Sequence, residues 1–297
     1  MLKVSVPATS ANLGPGFDAL GIALDLHNTF YFCTGAQEYP PPGLTYLSPY
    51  SLVQRAADLV SKEVGTASIN WRVAIESNIP RSRGLGSSAS LTVAGLVAAN
   101  YYLSAGLSAE RLLNLAIHLE GHPDNAAPAL LGGFVISIVT PGGVKYLKTI
   151  PGKPISAVVA VPQFELPTVE ARRVLPSQVS HSDAVKNTGR TALFVSAMLL
   201  GDYSHLRFAM EDVLHQPYRL ALVPGMHEVM VAAIDAGALG SCLSGAGPTI
   251  LAFVNERAEE VSRSMVEAWD KKGIKSRGYV LNIATEGAEL SIVNSKQ

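Results

Sequence analysis

Hydrophobic and polar positions along the 297-residue chain follow two repeats, one typical of strands and one typical of helices. The segment Ile69–Ser77 alternates apolar and polar residues, which predicts a half-buried strand. The segment Leu52–Val64 carries apolar residues at helical spacing. The segment 87–103 is apolar on nearly every side, so we predict a helix buried in the core.

The same two repeats predict most other elements. Further strands are predicted at Lys3–Val6, Leu20–Leu24, Asn28–Thr34, Phe134–Val139, Ile155–Val161, Thr249–Val254 and Ser276–Asn282. Further helices are predicted at Ser108–Glu120, Thr168–Leu175, Ala184–Gly201, Leu206–Leu214, Met226–Ala236 and Ala258–Lys272. Turn-rich or irregular segments are predicted at Ala8–Asp18 and Gln37–Pro49. Two clusters of glycine and proline between residues 141 and 154 indicate a boundary, so we predict α+β domains at 1–150 and 151–297.

Composition and charge narrow the class of protein. Apolar residues make up 48% and charged residues 16%, which is typical of a packed globular chain. A net charge of −1 gives no general electrostatic reason to bind nucleic acid or an anionic membrane, so we expect small-molecule partners. Cys33 and Cys242 suggest neither a disulfide framework nor a metal site. Without a secretory leader or a spanning apolar stretch, the expected location is the cytoplasm.

A flexible glycine-rich turn leads into the predicted core helix, in the segment Pro80–Ser90. Unpaired backbone amides and the positive end of a helix dipole favour an anion at such a place. Phosphate is therefore a candidate ligand, and the hydroxyls of Ser87 and Ser88 can cap the helix or reach a phosphate-bound metal. A cap that binds nothing fits the same residues. The segment matches neither the Walker pattern nor the dinucleotide fingerprint.

Three further segments offer chemistry, and each has a simple structural explanation as well. In Ala8–Asp18, Asn12 and Asp18 offer an amide and a carboxylate on a glycine-rich turn, or they bond their own backbone. In Glu120–Asn125, the carboxylates, histidine and amide suit a metal-and-hydroxyl site or a solvated turn. Ser244–Thr249 is a second glycine-rich loop that an ordinary hairpin also explains.

Taken together and in this order, the four segments resemble the small-molecule kinases named for galactose, homoserine, mevalonate and phosphomevalonate, the GHMP kinases. Within that family, the motifs Ser10–Asp18 and Asp124–Pro128 are most similar to those of homoserine kinases. The resemblance extends over almost the whole chain. It implies a two-domain α+β architecture, with an N-terminal domain like that of ribosomal protein S5 and a C-terminal ferredoxin-like sandwich.

The resemblance also implies roles for individual residues. The segment implied to hold the phosphates of ATP comprises Pro80, Arg81, Ser82, Arg83, Gly84, Leu85, Gly86, Ser87, Ser88, Ala89 and Ser90. Mg²⁺ is implied at Glu120 together with Ser87 or Ser88. The implied substrate-binding residues are Asn12, Asp18, Asn125, Thr168, Arg172, Arg219 and Gly245. The implied catalytic residues are Asn12, Asp124 and Asn125, where Asp124 is a general base or Asn125 only orients the hydroxyl.

The implied reaction transfers the γ-phosphoryl group of ATP to the hydroxyl of L-homoserine, a step of threonine biosynthesis. Homoserine is a zwitterion, so we expect a cleft that is negative at one end, with Asp18, and positive at the other, with Arg172 and Arg219. Both arginines also fit ordinary surface ion pairs. Mevalonate has no amine for Asp18, which favours an amino acid. The alternatives are a mevalonate-type kinase and a nucleotide-binding sensor without turnover.

One position departs from the family's pattern. Ser51 precedes Leu52 and Val53, where members of the family often have an asparagine near the adenine. The adenine pocket is therefore left unassigned by the sequence. The oligomeric state, for which a homodimer is one option, and the nucleotide preference are left open as well.

Overall fold

Two antiparallel β-sheets organise the chain in the computed structural model, which describes residues 1–35 and 37–293. The seven-stranded sheet contains β1 (Leu2–Ala11), β2 (Leu20–Cys33), β3 (Thr45–Tyr46), β4 (Arg72–Glu76), β5 (Phe134–Thr140), β6 (Gly143–Thr149) and β11 (Glu289–Ile292). The four-stranded sheet contains β7 (Ser156–Pro162), β8 (Gly240–Leu243), β9 (Ile250–Val254) and β10 (Ser276–Asn282).

Helices pack against both sheets. Those between β3 and β5 are α1 (Leu52–Glu63), α2 (Ser87–Tyr102), α3 (Ala109–Glu120) and α4 (Ala126–Leu131). Those after β7 are α5 (Thr168–Arg173), α6 (His181–Leu200), α7 (Leu206–Ala209), α8 (Gln216–Arg219), α9 (Met226–Asp235) and α10 (Ala258–Asp270). Ser108 caps α3 as its sequence predicts, because its hydroxyl accepts the Arg111 amide at 3.2 Å. Among the described residues, none of the helices combines the length and apolar character needed to cross a membrane.

The smaller sheet has the strand order β10-β7-β9-β8. Counted within this sheet, that order is 4-1-3-2, the arrangement of the ferredoxin-like sandwich that the resemblance implies. One face packs against α9 and α10, and the other faces the larger sheet. The α+β expectation is therefore confirmed.

A shared hydrophobic core joins the two sheets. Phe194 of α6 packs between Phe134 of β5 and Phe253 of β9, with ring centroids 5.9 and 6.3 Å away. All three rings are fully buried. Apolar burial of this kind opposes free movement between halves of a chain, so loops contributed by both halves meet in a defined geometry.

Several strands differ in length from the predictions. Ala8–Ala11, predicted as a turn, continues β1 as a buried edge of small residues, and the expected break in β2 is absent because one bulged strand runs from Leu20 to Cys33. Pro7 lies where the register of β1 against β2 shifts, a position that tolerates proline. The sequence predicts no element at β3, β6, β8, β11, α4 or α8.

The last strand bears on the division of the chain at residue 150. β11 pairs with β1 in the larger sheet, with Leu2 opposite Ile292. Residues 289–292 therefore lie in the sheet of the N-terminal half, although they follow the smaller sheet in sequence. The division into 1–150 and 151–297 remains a prediction.

Candidate active site

A cleft of about 450 Å³ lies where loops from both halves of the chain meet. Most residues that the sequence singled out lie around it. Those in its lining are Asn12, Asp18, Arg81, Ser82, Arg83, Gly84, Gly86, Ser87, Ser88, Ala89, Glu120, Asp124, Asn125, Thr168, Arg172, Arg219 and Gly245. Their roles stay predictions, but tertiary structure brings them together.

Three residues of the glycine-rich segment lie outside the lining. Leu85 is fully buried in the core between the sheets, and its carbonyl accepts the Thr9 amide at 3.2 Å. Ser90 is buried as well, and its hydroxyl donates to the Ser87 carbonyl at 2.8 Å. Pro80 is half-buried ahead of the turn. These residues shape the loop from behind rather than face the cleft.

The amino end of α2 forms one wall of the cleft. Gly86 is the N-cap in the left-handed region, at φ +69°, and it offers no side chain to the helix end. In the described residues, no protein acceptor binds the amides of Ser87, Ser88 and Ala89. The first turn contains no acidic residue. Unpaired amides and the positive helix end therefore point to an anion at this wall.

Close packing around the loop requires glycine at positions 84 and 86. A Cβ atom on Gly84 would lie 2.3 Å from the carbonyl oxygen of Ser244. A Cβ atom on Gly86 would lie 1.9 Å from Oγ1 of Thr9. The glycines thus let the loop approach β1 and the second glycine-rich loop, since no side chain fits between them.

Gly86→Ala is expected to destabilise the fold by about 1–3 kcal/mol and to raise the KM for ATP by roughly tenfold, because alanine adds both strain and overlap. Gly106→Ala is the matched control. Gly106 also has a positive φ, +64°, but a Cβ atom there meets nothing within 4 Å. Thermal unfolding and steady-state kinetics measure both effects. Equal losses of stability in the two variants would contradict the packing explanation.

Asn12 connects the loop that carries Asp18 to the loop that carries Gly245. Its Nδ2 donates to the carbonyl oxygen of Gly245 at 3.0 Å, and its Oδ1 accepts the amide of Asp18 at 3.0 Å. Asn12 itself has a positive φ of +67° and is almost fully buried. The local turn bond considered from the sequence is therefore present, and a bond to the distant loop accompanies it.

Asp18 and Arg172 form a paired contact in the cleft. Arg172 donates from Nη2 to Oδ1 at 2.5 Å and from Nη1 to Oδ2 at 3.1 Å. About a third of each side chain is exposed. The expectation of opposite charges at opposite ends of the cleft is therefore wrong, since α5 brings the guanidinium directly onto the carboxylate.

Phe17 lies beside both arginines of the cleft. The guanidinium carbon of Arg172 lies 5.3 Å from the ring centroid, and that of Arg219 lies 5.5 Å from it. Arg219 is almost fully buried, unlike a surface ion pair. Burial, with the nearby charge of Arg172, lowers the pKa of Arg219 to about 10, so it remains a cation at neutral pH.

Glu120 ends α3 beside the first turn of α2. Its Oε1 accepts the hydroxyl of Ser88 at 3.0 Å and that of Thr92 at 2.6 Å. Within residues 1–35 and 37–293, no donor binds its Oε2. Glu120 therefore contacts Ser88, one of the two serines predicted to share Mg²⁺ with it, and also contacts Thr92, which the sequence did not suggest. The metal site itself remains a prediction.

Asp124 lies buried between His122 and Asn125. Its Oδ1 lies 2.5 Å from Nδ1 of His122 and 3.5 Å from Nδ2 of Asn125. Burial alone would lower the pKa of His122, but the hydrogen bond and charge of Asp124 outweigh it and raise that pKa. Thr9 donates to the Asn125 Oδ1 at 2.8 Å. The carboxylate and amide are therefore held in fixed orientations at the cleft.

Comparison with known proteins identifies the fold family. Two family models match this chain. The model described as "GHMP kinases N terminal domain" matches residues 51–133, and the model described as "GHMP kinases C terminal" matches residues 194–271. A homoserine kinase of Desulfitobacterium hafniense is 42% identical over 299 residues, 97% of this chain and 99% of the relative. The chain belongs to the GHMP kinase family.

Further matches agree with this family. A homoserine kinase of Carboxydothermus hydrogenoformans is 41% identical over 302 residues, covering 100% of this chain and 98% of the relative. The crystal structure of a homoserine kinase from Cytophaga hutchinsonii superposes with a TM-score of 0.83 at 31% identity, covering 98% of this chain and 97% of that one. The two-domain GHMP kinase fold and the resemblance inferred from the motifs are both confirmed.

Two arginines of the glycine-rich segment differ in their surroundings in this GHMP kinase. Arg83 donates to the carbonyl oxygen of Pro162 at 2.9 Å and lies 3.3 Å from a carboxylate oxygen of Glu165. Arg83 therefore links the glycine-rich segment Pro80–Ser90 to the end of the smaller sheet's β7, and its guanidinium is already engaged. Arg81 is exposed at the rim of the cleft.

Sequence reasoning missed several cleft residues of this GHMP kinase. Phe17 lines the cleft, although the sequence motif that contains it predicts no role for this residue. Leu52, Leu91 and Leu119 form an apolar part of the lining near the start of α1. Single apolar residues carry no local signal for a site, so only the three-dimensional arrangement identifies them.

Proposed function

We propose that the chain is a homoserine kinase, which transfers the γ-phosphoryl group of ATP to the side-chain hydroxyl of L-homoserine and releases ADP and O-phospho-L-homoserine. One observation carries the proposal. The unpaired amides at the start of α2 and the contacting pair of Asp18 and Arg172 face the same cleft. A polyphosphate and a zwitterion can therefore lie side by side there.

The amino end of α2 supports the proposed binding of the ATP phosphates. The amides of Ser87, Ser88 and Ala89 have no protein acceptor in the described residues. Donors fixed in this orientation stabilise the charge that spreads over the phosphoryl oxygens in the transition state. We propose that the segment Pro80–Ser90 holds the triphosphate of ATP mainly through its backbone.

Mg²⁺ fits the residues beside this wall. Glu120 offers the oxygen Oε2, which no donor occupies in the described part of the chain, and the hydroxyls of Ser87 and Ser88 lie in the same lining. Mg²⁺ prefers oxygen ligands and is usually held by one or two carboxylates plus substrate phosphates. We propose Glu120 with Ser87 or Ser88 as the protein ligands. The ion would neutralise charge on the transferred phosphoryl group.

The adjacency of Asp18 and Arg172 supports an α-amino acid as the acceptor. The ammonium and carboxylate of such a substrate are bonded to one carbon, so their binding partners must also be neighbours. Asp18 suits the ammonium, and Arg172 with Arg219 suits the carboxylate. Gly245 and Thr168 complete this end of the lining. Mevalonate offers no ammonium to replace Arg172 as the partner of Asp18.

The remaining polar residues support positioning of the hydroxyl. Asp124 is buried, with His122 and Asn125 bound at Oδ1. We propose that Asp124 or Asn125 orients the hydroxyl, and that Asp124 can accept its proton through Oδ2. Asn12 then acts by fixing the loop that carries Asp18. Alignment and charge neutralisation supply most of the rate enhancement in a loose phosphoryl transfer.

A coupled ADP-release assay with and without Mg²⁺ tests the proposed function. We expect turnover with ATP and L-homoserine, and at least about a hundredfold lower kcat/KM with mevalonate or 4-hydroxybutyrate, which lack the ammonium. ADP release with mevalonate alone would favour the mevalonate-type alternative. Nucleotide binding without ADP release from any acceptor would favour the sensor. The proposal also includes threonine biosynthesis in the cytoplasm as the setting of the reaction.

A further inference from the structure

Both ring nitrogens of His215 have fixed partners beneath the cleft. His215 is fully buried just before α8. Its Nε2 lies 2.8 Å from the carbonyl oxygen of Gly14, and its Nδ1 lies 3.0 Å from Nη1 of Arg219. A carbonyl only accepts and a guanidinium only donates. Nε2 therefore carries the proton, and Nδ1 offers a lone pair to Arg219.

The surroundings of His215 favour the neutral ring. Burial lowers the pKa of His215, and the charge of Arg219 acts in the same direction. Asp212, whose Oδ2 lies 3.6 Å from Nε2, and Asp18 oppose them. The ring of Phe17 packs against the imidazole of His215, with the ring centroids 5.2 Å apart. A proton on Nδ1 would also face the N–H of Arg219, so that hydrogen bond requires a neutral histidine.

Asp212 fixes the turn that carries His215. Its Oδ2 accepts the amides of His215 at 2.8 Å and Gln216 at 2.7 Å, and its Oδ1 accepts that of Leu214 at 2.9 Å. The Asp212 side chain is fully buried. With three backbone donors bound to one carboxylate, the start of α8 has little freedom. The imidazole is therefore held in place from its backbone side.

The Gly14 contact connects His215 to the loop that bears Phe17 and Asp18. A Cβ atom at Gly14 would lie 2.3 Å from the carbonyl oxygen of Met210, so this loop is seated tightly on the end of α7. His215 thus spans from the loop on one side to Arg219 on the other.

The guanidinium of Arg219 is oriented by three hydrogen-bond acceptors. Its Nε donates to the carbonyl oxygen of Ala171 at 3.1 Å, and its Nη1 donates to Gly245 and His215, each at 3.0 Å. No protein acceptor binds its Nη2 within residues 1–35 and 37–293, and Arg219 lines the cleft. The guanidinium therefore keeps donor capacity for a ligand carboxylate.

We propose that His215 is a positioning residue for substrate binding. Its neutral ring fixes the position of the Arg219 guanidinium relative to the loop that carries Asp18, so that Arg219 contacts the substrate carboxylate. This inference rests on the proposed homoserine kinase function. His215 touches no substrate. It acts through the aim of Arg219, and its loss weakens recognition of the amino-acid substrate rather than of ATP.

Two conservative variants separate the functions of the two ring nitrogens. In His215→Asn, the amide oxygen can occupy the place of Nδ1 and accept from Arg219. In His215→Gln, the amide nitrogen can reach the Gly14 carbonyl, but the acceptor at the Nδ1 position is lost. We expect His215→Gln to raise the KM for L-homoserine by about tenfold, with the KM for ATP and kcat changed less than about twofold. His215→Asn should stay within about threefold of the wild type.

A double-mutant cycle tests the connection to Arg219. In an Arg219→Ala background, His215→Gln should raise the KM for L-homoserine no further, because the residue it positions is gone. Exposed His227 on α9 provides the control His227→Gln, which should leave both KM values unchanged. Equal KM values in the asparagine and glutamine variants, or parallel rises for ATP and homoserine, would overturn the proposal. Its failure differs from failure of the proposed function, in which the wild type itself does not phosphorylate L-homoserine.

Discussion

Glu120→Gln is expected to lower kcat for phosphorylation of L-homoserine by about a hundredfold to a thousandfold, because it removes the proposed carboxylate ligand of Mg²⁺. The change is nearly isosteric, and the amide oxygen can still accept the Ser88 and Thr92 hydroxyls that bind Oε1 at 3.0 and 2.6 Å. The loss should therefore appear in catalysis while the fold is retained. Steady-state kinetics and thermal unfolding together measure this separation.

A binding measurement distinguishes a metal ligand from a structural residue. Calorimetry with a non-hydrolysable ATP analogue should show that Mg²⁺ strengthens binding to the wild type much more than to Glu120→Gln. Glu110→Gln is the control, since Glu110 lies at the start of the same helix and pairs with Lys145 at 2.6 Å on the surface. An unchanged Mg²⁺ dependence in Glu120→Gln would remove this residue from the metal site.

Asp18→Asn is expected to lower kcat/KM for L-homoserine by about thirtyfold and to leave the KM for ATP unchanged. Loss of one partner of a hydrogen-bonded charge pair costs about 2 kcal/mol at the lower end of the usual range, which suits a pair that is about a third exposed. Asparagine keeps the shape and one acceptor, so the main change is the lost charge. Asp25→Asn on β2 is the exposed control.

A substrate analogue shows whether the lost charge meets the ammonium. 4-Hydroxybutyrate retains the hydroxyl and carboxylate of homoserine but lacks the amine. The ratio of kcat/KM for L-homoserine over 4-hydroxybutyrate should fall in Asp18→Asn by the same factor of about thirty. This ratio does not depend on the concentration of active enzyme. If both substrates lose activity equally, Asp18 serves the loop and not the ammonium.

Local pattern predicted the regular elements well where it was strong. The strand Ser276–Asn282 has the predicted bounds, and α2 and α9 differ from their predictions by one residue at the end. The turn predicted at Ala8–Ala11 is wrong, since these residues belong to β1. A buried strand of small side chains has the same composition as a turn. The two-residue strand Thr45–Tyr46 is too short to leave a pattern.

Motif order predicted the membership of the cleft but not its geometry. The direct pairing of Asp18 with Arg172 joins residues 154 positions apart, and no local pattern encodes which distant charge a side chain meets. The burial of Arg219 could not be predicted locally either. Its charge suggests a surface residue, but in the structure it is buried and donates to the carbonyls of Ala171 and Gly245. His215 carried no signal for a site in the sequence.

By itself, the sequence determined the α+β class and the family, and it predicted which segments carry phosphate-binding and substrate-binding chemistry. These follow from side-chain periodicity and motif order, both of which are properties of neighbouring residues. Tertiary structure alone decided that opposite charges touch, that the glycines make room for neighbouring loops, and that the buried His215 contacts Arg219. Each of these depends on contacts between residues far apart in the chain, whose energies arise only when the two sheets pack together.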